Sequence, residues 1–304
     1  MEQNATLTKD KKGAINVSTF SQKIHLYLKH PFSLLVWIIT ILAALLTAAS
    51  FVYLVLYILI KGVPYLRPEL FSWTYDSNNV SMLPSIINTF LLTALSLVIS
   101  VPLGIFAAIY MVEYAKKGNR IVKFIRVTAE TLSGIPSIVY GLFGMIFFVG
   151  VLKMQLSLLS GSLTVAIMVL PTIMRTTEEA LLSVPQSYRE GSFGLGAGKL
   201  RTVFRIVLPS AVPGILSGVI LATGRIVGET AALIYTAGTM AKVPNNLFAS
   251  ARTLSVHMYL LSNEGLHTNE AFATAVVLLV FVMLINMLAN FVARRLSAKN
   301  AEND

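Results

Sequence analysis

Six stretches of the sequence contain no Asp, Glu, Lys or Arg, and their lengths limit what the chain can fold into. They cover residues 30–60, 77–112, 131–152, 154–174, 206–224 and 271–293. A helix needs roughly 20 apolar residues to cross a hydrocarbon core of about 30 Å. Only 12% of the residues are charged, whereas soluble domains average roughly 25%. The sequence predicts an all-α membrane protein with six transmembrane helices, the fifth near residues 207–234, with Arg225 and Glu229 inside the span.

The distribution of basic residues predicts the orientation of these helices. Of the 24 Lys and Arg residues, 18 lie before the first stretch, between the second and third, between the fourth and fifth, or after the sixth. Positive charge collects at the cytoplasmic face, so both termini are expected in the cytoplasm. The formal net charge of +10 then indicates topology and contact with anionic membrane lipid, and no nucleic-acid binding is expected.

The chain is expected to divide into a transmembrane core with flanking segments. The predicted regions are a cytoplasmic N-terminal tail (1–30), a first transmembrane helix with an outer loop (31–84), a five-helix core (85–292) and a cytoplasmic C-terminal tail (293–304). The third and fourth spans should form an antiparallel hairpin around Lys153. In the third span, Pro136 is expected to kink a packed helix. The alternative is that residues 133–137 leave free amides that help to steer an anion.

The inner insertion, residues 175–205, is too long for a plain turn between helices, which usually takes about 2 to 8 residues. Pro185 should end the helix that continues from the fourth span, and a short second helix should follow with Glu190 exposed. The glycines after Glu190 permit a sharp exit and a close approach of another surface. A flexible glycine-rich linker is the alternative interpretation.

The residues supply no set of groups for catalysis or for cofactor binding. GLGAGKL, residues 194–200, resembles a phosphate loop, but Phe193 and Leu200 stand where that loop needs Gly and Ser or Thr. The four histidines lack metal-ligand spacing, and no nucleophile, base and orienting group can be assembled. We therefore expect a non-catalytic chain without a metal site or a bound cofactor.

The inner insertion also carries a spaced motif that resembles the permease subunits of ABC importers. In that family an EAA triplet is followed by three residues, Gly, nine residues, Ile, one residue and Leu-Pro. This chain has Glu190-Gly191-Ser192, then Gly196, Ile206, Leu208 and Pro209 at the same spacing. Gly-Ser replaces Ala-Ala, which keeps the side chains small but weakens the helix by up to about 1 kcal/mol at the glycine.

The resemblance implies a type I ABC importer permease fold with a cytoplasmic coupling helix. Residues 190–196 would contact a separate ATPase subunit, which would use the ATP and Mg. Residues 84–115 resemble the start of the importer core, and residues 130–144 and 224–238 resemble the phosphate-specific branch (PstA type). The partners implied are a homologous second permease (PstC type), a pair of ATPase subunits (PstB type) and an external phosphate-binding protein (PstS type). The location implied is the bacterial inner (plasma) membrane.

Arg225 and Glu229 are the candidate substrate-pathway residues. A buried Arg costs about 2.5 kcal/mol or more in a membrane span, so it is by default a functional candidate. Its planar fork can offer two parallel donors to an oxyanion such as phosphate. On a continuous helix Glu229 would share its face and could neutralise or orient it. The alternative is a structural ion pair that locks the fifth span to a partner.

Other functions remain open at this point. Within transport, the substrate could be another oxyanion, such as sulfate, molybdate or phosphonate. From a different class, the chain could be a self-assembling channel or a membrane signalling or scaffold subunit. Neither of these needs an ATPase docking helix, so the motif in the inner insertion disfavours both.

Overall fold

The computed structural model describes residues 31–116 and 118–301. The predicted N-terminal tail, residues 1–30, lies outside them. The regular elements of the described part are helices: α1 (Pro31–Gly62), α2 (Leu83–Ile109), α3 (Arg120–Ser133), α4 (Ser137–Gly144), α5 (Leu158–Ser183), α6 (Gln186–Gly194), α7 (Lys199–Thr202), α8 (Leu208–Val227), α9 (Ala231–Thr236), α10 (Leu254–Glu264) and α11 (Thr268–Ala301). A π-helical turn extends α2 over Tyr110–Tyr114 and α4 over Met145–Val151, and a third joins α7 to α8 over Val203–Val207.

The chain divides within α1 into two compact units, Met1–Tyr57 and Ile58–Asp304. The described part of the first unit is the apolar body of α1, whose side chains are largely exposed. The second unit contains all the later helices. There the segment after α1 forms two short 3-10 turns, Val63–Tyr65 and Pro68–Phe71.

Five of the six predicted spans are present as helices long and apolar enough to cross a membrane. They are Phe32–Tyr65, Leu83–Tyr114, Leu158–Ser183, Lys199–Val227 and Thr268–Phe291. Helix α11 runs on through Ala301, past the predicted tail boundary at residue 293.

The third span, predicted over residues 131–152 with a kink at Pro136, is broken there instead of kinked. Helices α3 and α4 meet at an angle of 104°, and the described chain has a sixth span only if this bent pair counts as one. Pro136 lacks an N–H to donate and drives Ile135 before it away from helical geometry, so the helix ends instead of kinking. The free-amide alternative also fails at Gly134 and Ile135, whose N–H groups bond to the Thr131 and Leu132 carbonyls.

The prediction that the fifth span reaches residue 234 is also wrong. Helix α8 ends at Val227, and the separate short helix α9 begins at Ala231. The Glu229 carboxylate accepts a hydrogen bond from the Ala232 N–H, 3.1 Å away, and so caps the new helix. A side chain that caps a following helix stabilises a break in the chain at that point.

Helix α5 is the centre of the second unit. In its most apolar segment 67% of the residues are buried, compared with 33% or fewer in α2, α8 and α11. Small residues let α2 and α8 approach it closely. A Cβ at Gly104 of α2 would lie 2.8 Å from Ile173 Cγ2, and one at Gly214 of α8 would lie 2.6 Å from Ala180 Cβ. Close helix contact through small residues is the usual packing of membrane helices.

Polar residues of α2 fasten the outer insertion, residues 235–270, to this core. The Asn88 side-chain amide donates to the carbonyls of Lys242 and Arg252, at 2.9 and 3.1 Å. The Thr89 hydroxyl accepts from the Leu254 N–H at 2.8 Å, which joins α2 to the start of α10. Polar side chains of membrane helices often hydrogen-bond to a neighbouring helix, and these two bond to backbone groups of the segment between α9 and α11.

A buried histidine lies in the same outer layer. The His257 side chain is fully buried, and its Nδ1 is 3.3 Å from Nη1 of Arg252. The Arg252 guanidinium also donates to the Thr239 carbonyl and lies 5.0 Å from the centre of the Tyr75 ring. Burial, with the Arg252 charge as the second cause, lowers the pKa of His257 from 6.5 to about 3.

This shift predicts a pH-dependent stability. The unfolded chain binds a proton at this residue below about pH 6.5, whereas the folded chain does so only near pH 3, so stability falls as the pH drops through that window. At pH 5 the loss should be about 2 kcal/mol relative to pH 7.5. Thermal unfolding of His257→Gln should show a smaller acid sensitivity than wild type. The control is His267→Gln, at a partly exposed position, which should keep the wild-type dependence; equal acid sensitivity in all three proteins would contradict the prediction.

Candidate coupling and translocation site

Helix α6 is the short helix that the inner insertion was expected to form. Pro185 precedes it with an extended backbone, and α5 ends at Ser183. Glu190 is exposed, and a Cβ added at Gly191 would meet no atom within 4 Å. The flexible-linker alternative therefore does not hold, because the motif begins on a formed helix whose Glu190 and Gly191 face open space.

Gly196 ends this helix in a way that requires glycine. Its φ is +82°, in the left-handed region. The Gly196 N–H bonds to the Phe193 carbonyl and the Ala197 N–H to the Ser192 carbonyl, which satisfies carbonyls left open at the helix end. The backbone conformation at this second fixed position of the motif therefore favours glycine over any other residue.

The last part of the motif lies where the chain re-enters the core. Ile206 is in the π-helical turn, and Leu208 and Pro209 open α8 directly after it. A proline inside a helix removes one bond and crowds the carbonyl four residues earlier, and a local change of helical pitch accommodates both. Ser192 of α6 hydrogen-bonds Thr202 of α7 at 2.8 Å, with both side chains buried.

Arg225 lies in α8, whereas Glu229 lies in the break between α8 and α9, so the expectation that they share one helical face is wrong. Arg225 is half-buried in the last turn of α8, where a cation faces the negative end of the helix dipole. Glu229 is buried beyond that helix, and the Ser255 hydroxyl of α10 donates to its backbone carbonyl at 2.5 Å. None of the ion pairs among the described residues joins Arg225 to Glu229.

A charged cavity reaches α8 at Leu221. It has a volume of about 490 Å³, and Leu221, one helical turn before Arg225, contributes to its wall. Two ion pairs line it, Arg126–Glu178 at 2.5 Å and Arg175–Glu179 at 3.0 Å. The cavity lies between α3, α5 and α8, beside the C-terminal half of α5, which leads to α6.

Two residues that sequence reasoning did not select complete the inner site. Arg189, next to Glu190, is buried, and its guanidinium contacts the Glu113 carboxylate at the end of α2. The two residues are 76 positions apart in the chain, and each occurs in a segment expected to be solvated. The sequence signal available was the position of Arg189 beside the motif, but nothing in it indicates Glu113 as the partner.

Comparison with known proteins identifies the family of this chain. Residues 100–301 match the family described as binding-protein-dependent transport system inner membrane component. The chain belongs to this family. This inner membrane component is 34% identical over 282 residues to the probable ABC transporter permease protein YqgI of Bacillus subtilis, covering 86% of this chain and 95% of that protein. Membership excludes the channel and scaffold alternatives.

Several relatives carry phosphate in their names. Phosphate transport system permease protein PstA 1 of Mycobacterium tuberculosis is 35% identical over 205 residues, covering 65% of this chain and 66% of that protein. A PstA homolog of Mycoplasma pneumoniae is 30% identical over 274 residues, covering 86% of this chain but 41% of that protein.

Solved structures confirm the predicted fold class. A bacterial ABC transporter involved in import of alginate matches with a TM-score of 0.62 at 18% identity, over 90% of this chain and 99% of that one. The MetNI methionine ABC transporter, in an inward-facing conformation, matches with a TM-score of 0.55 at 20% identity, over 71% and 94%. This inner membrane component therefore has the type I ABC importer permease fold in an all-α, multi-pass membrane protein.

The two glycines of the motif should respond oppositely to alanine. Gly191→Ala should stabilise the chain by about 0.5–1 kcal/mol, because the position is helical and open. Gly196→Ala should destabilise it by about 1–2 kcal/mol, because alanine is strained at that φ. Thermal unfolding of the two variants in one detergent measures both effects. Shifts of the same sign would show that the backbone at residue 191 or 196 differs from that described.

Proposed function

We propose that this chain is a permease subunit of an ATP-driven phosphate importer and forms half of the translocation pathway. The match to the transport family over residues 100–301 supports the permease role. The similarity to phosphate permeases over most of the chain supports phosphate as the substrate. The chain itself would be non-catalytic and would bind no cofactor, with ATP and Mg used by the partner ATPase.

The partners follow from the same proposal. A second permease of the PstC type would complete the pathway, and an external phosphate-binding protein of the PstS type would deliver the anion to the outer surface. An ATPase pair of the PstB type would receive α6, with Glu190, Gly191 and Ser192 at the contact and Gly196 ending the helix. The complex would lie in the bacterial inner membrane with both termini of this chain in the cytoplasm.

The observation that carries the anion proposal is the placement of Arg225. Its guanidinium lies at the end of a span, is half-buried, and is not held by Glu229 in an ion pair. A guanidinium that takes part in none of the ion pairs among the described residues can offer several donors to the oxygens of an oxyanion.

Substrate choice is tested by uptake into vesicles that contain the full complex and the binding protein. We expect ATP-dependent uptake of phosphate, with weak competition by sulfate, molybdate or phosphonate in excess. Preferential uptake of one of those anions would assign the chain to that substrate and overturn the phosphate proposal. Uptake without ATP would contradict the importer mechanism.

Arg225 is tested by substitution in the same assay. Arg225→Gln should lower phosphate uptake at least about tenfold, because losing one charge-assisted contact to a desolvated anion costs roughly 1.4 kcal/mol or more. Arg225→Lys has a point charge in place of the planar fork, so its phosphate uptake should lie between that of wild type and that of Arg225→Gln. Glu229→Gln, whose amide oxygen can still cap α9, tests the second candidate pathway residue in the same assay. The control is Arg120→Gln, at an exposed position on α3, which should keep wild-type uptake. Wild-type uptake by an Arg225→Gln complex that assembles normally would remove Arg225 from the pathway.

A further inference from the structure

Arg189 is a buried residue on a helix that is otherwise largely exposed. Its relative exposure is 9%, whereas Tyr188 before it is 51% exposed and Glu190 after it is exposed. A buried charge is retained only when it is paired and hydrogen-bonded. On α6, the guanidinium therefore points into the permease while its neighbours face outward.

The Arg189 guanidinium joins α6 to the ends of two other helices. Nη1 donates to the Val184 carbonyl and Nη2 to the Leu181 carbonyl, both at 2.9 Å. These are carbonyls at the C-terminal end of α5, which lack partners within the helix. Nε and Nη2 donate to Oε1 of Glu113, at 3.1 and 2.7 Å, in the π-helical turn that closes α2.

Two more contacts involve α7, the helix that follows α6. The Ser192–Thr202 hydrogen bond links α6 to α7, which continues without a break into the fifth span. The Lys199 ammonium of α7 lies 5.1 Å from the centre of the Tyr114 ring, one residue after Glu113. The cytoplasmic end of α2 is thus held both by α6 and by the segment that follows it.

We propose that Arg189 is the positioning residue that makes α6 and the inner ends of α2 and α5 move as one body when the ATPase closes. This inference rests on the proposed function, because it takes α6 as the ATPase contact. Motion of α6 reaches α8 through the chain itself, but α2 is distant in sequence and is joined through side chains. Arg189 connects α6 to α2 with charge-assisted bonds and to α5 with two carbonyl bonds.

The geometry requires an arginine and excludes a simple ion pair. The fork supplies donors in fixed directions to three acceptors, whereas a lysine ammonium on a flexible stem cannot reach all three with the same geometry. Exchanging the charges between positions 189 and 113 would leave the Leu181 and Val184 carbonyls without donors. The charge-exchanged variant Arg189→Glu with Glu113→Arg should therefore not restore function.

The first test measures phosphate imported per ATP hydrolysed by the full complex. Arg189→Lys and Arg189→Gln should still co-purify with the ATPase but lower this ratio at least about fivefold. Glu190→Arg should instead remove the ATPase from the purified complex. Arg120→Gln, an exposed arginine on α3, is the matched control and should keep the wild-type ratio.

The outcomes separate this inference from the proposed function. A wild-type complex that holds no ATPase or imports no phosphate would defeat the proposed function. A normal ratio in Arg189→Gln, or its recovery in the charge-exchanged variant, would overturn the role of Arg189 alone. If Arg189→Gln does not assemble, Glu113→Gln keeps an acceptor oxygen near its place and should give a smaller reduction.

A second test needs no change at Arg189. The sequence has no cysteine, so cysteines introduced at the exposed positions Lys116 and Gln186 are unique sites for spin labels. In a complex with otherwise wild-type sequence, the label-to-label distance should be the same without nucleotide and with ATP trapped. A distance that changes with nucleotide would overturn the inference. The same labels in Arg189→Gln should show a nucleotide-dependent or broadened distance.

Discussion

The packing of α5 between α2 and α8 is the interaction on which the rest of the second unit depends. In a membrane there is no hydrophobic gain from bringing two apolar helices together, so association relies on close contact and on hydrogen bonds between helices. Gly104, Gly214 and Gly218 supply that closeness at the α5 surface. Because α5 also leads directly to α6, the most buried helix of this unit is the one nearest in sequence to the proposed ATPase contact.

The candidate substrate residues lie where regular helix is interrupted. Non-helical backbone at membrane depth is tolerated only when protein or a water-filled cavity surrounds it. The breaks before Ser137 and after Val227 bring α4 and α9 together, and a Cβ at Gly141 would lie 2.7 Å from the Ala232 Cα. The buried Glu229 carboxylate accepts a hydrogen bond from the Ala232 N–H at this contact, so the two breaks place a carboxylate where α4 and α9 pack together.

The sequence predicts the parts of the fold that depend on local pattern. Charge-free length is enough to identify five spans, because the cost of unpaired backbone in hydrocarbon leaves a helix as the solution for such stretches. Pro185 and the motif spacing identify α6 for the same kind of local reason. The breaks at residues 134–136 and 228–230 also have local causes, Pro136 and the bond from the Ala232 N–H to the Glu229 carboxylate, but the extent of each break was not predicted. The packing of α4 against α9, which the two breaks allow, depends on tertiary structure.

The candidate site is predictable to a smaller extent than the fold. Motif spacing locates Glu190 and Gly196, and the rarity of charge in spans locates Arg225, because each carries its own chemical signal. Arg189 and Glu113 carry none, since a basic and an acidic residue in cytoplasmic segments are usually solvated. Only folding brings the α2 end to the α5 end, where one guanidinium then satisfies a carboxylate and two open carbonyls.

In the proposed function, α6 as a docking helix has to meet two opposing demands. Its outer surface must be small and accessible to a partner, which Gly191 and the exposed Glu190 satisfy at some cost in helix propensity. Its inner surface must be attached firmly enough that the partner moves the helix bundle instead of bending the helix. Because α6 is only nine residues long, propensity contributes little to its rigidity. The buried contacts of Arg189 and Ser192 therefore have to supply it, and the weak glycine on the outer face is tolerable because the inner face is fixed.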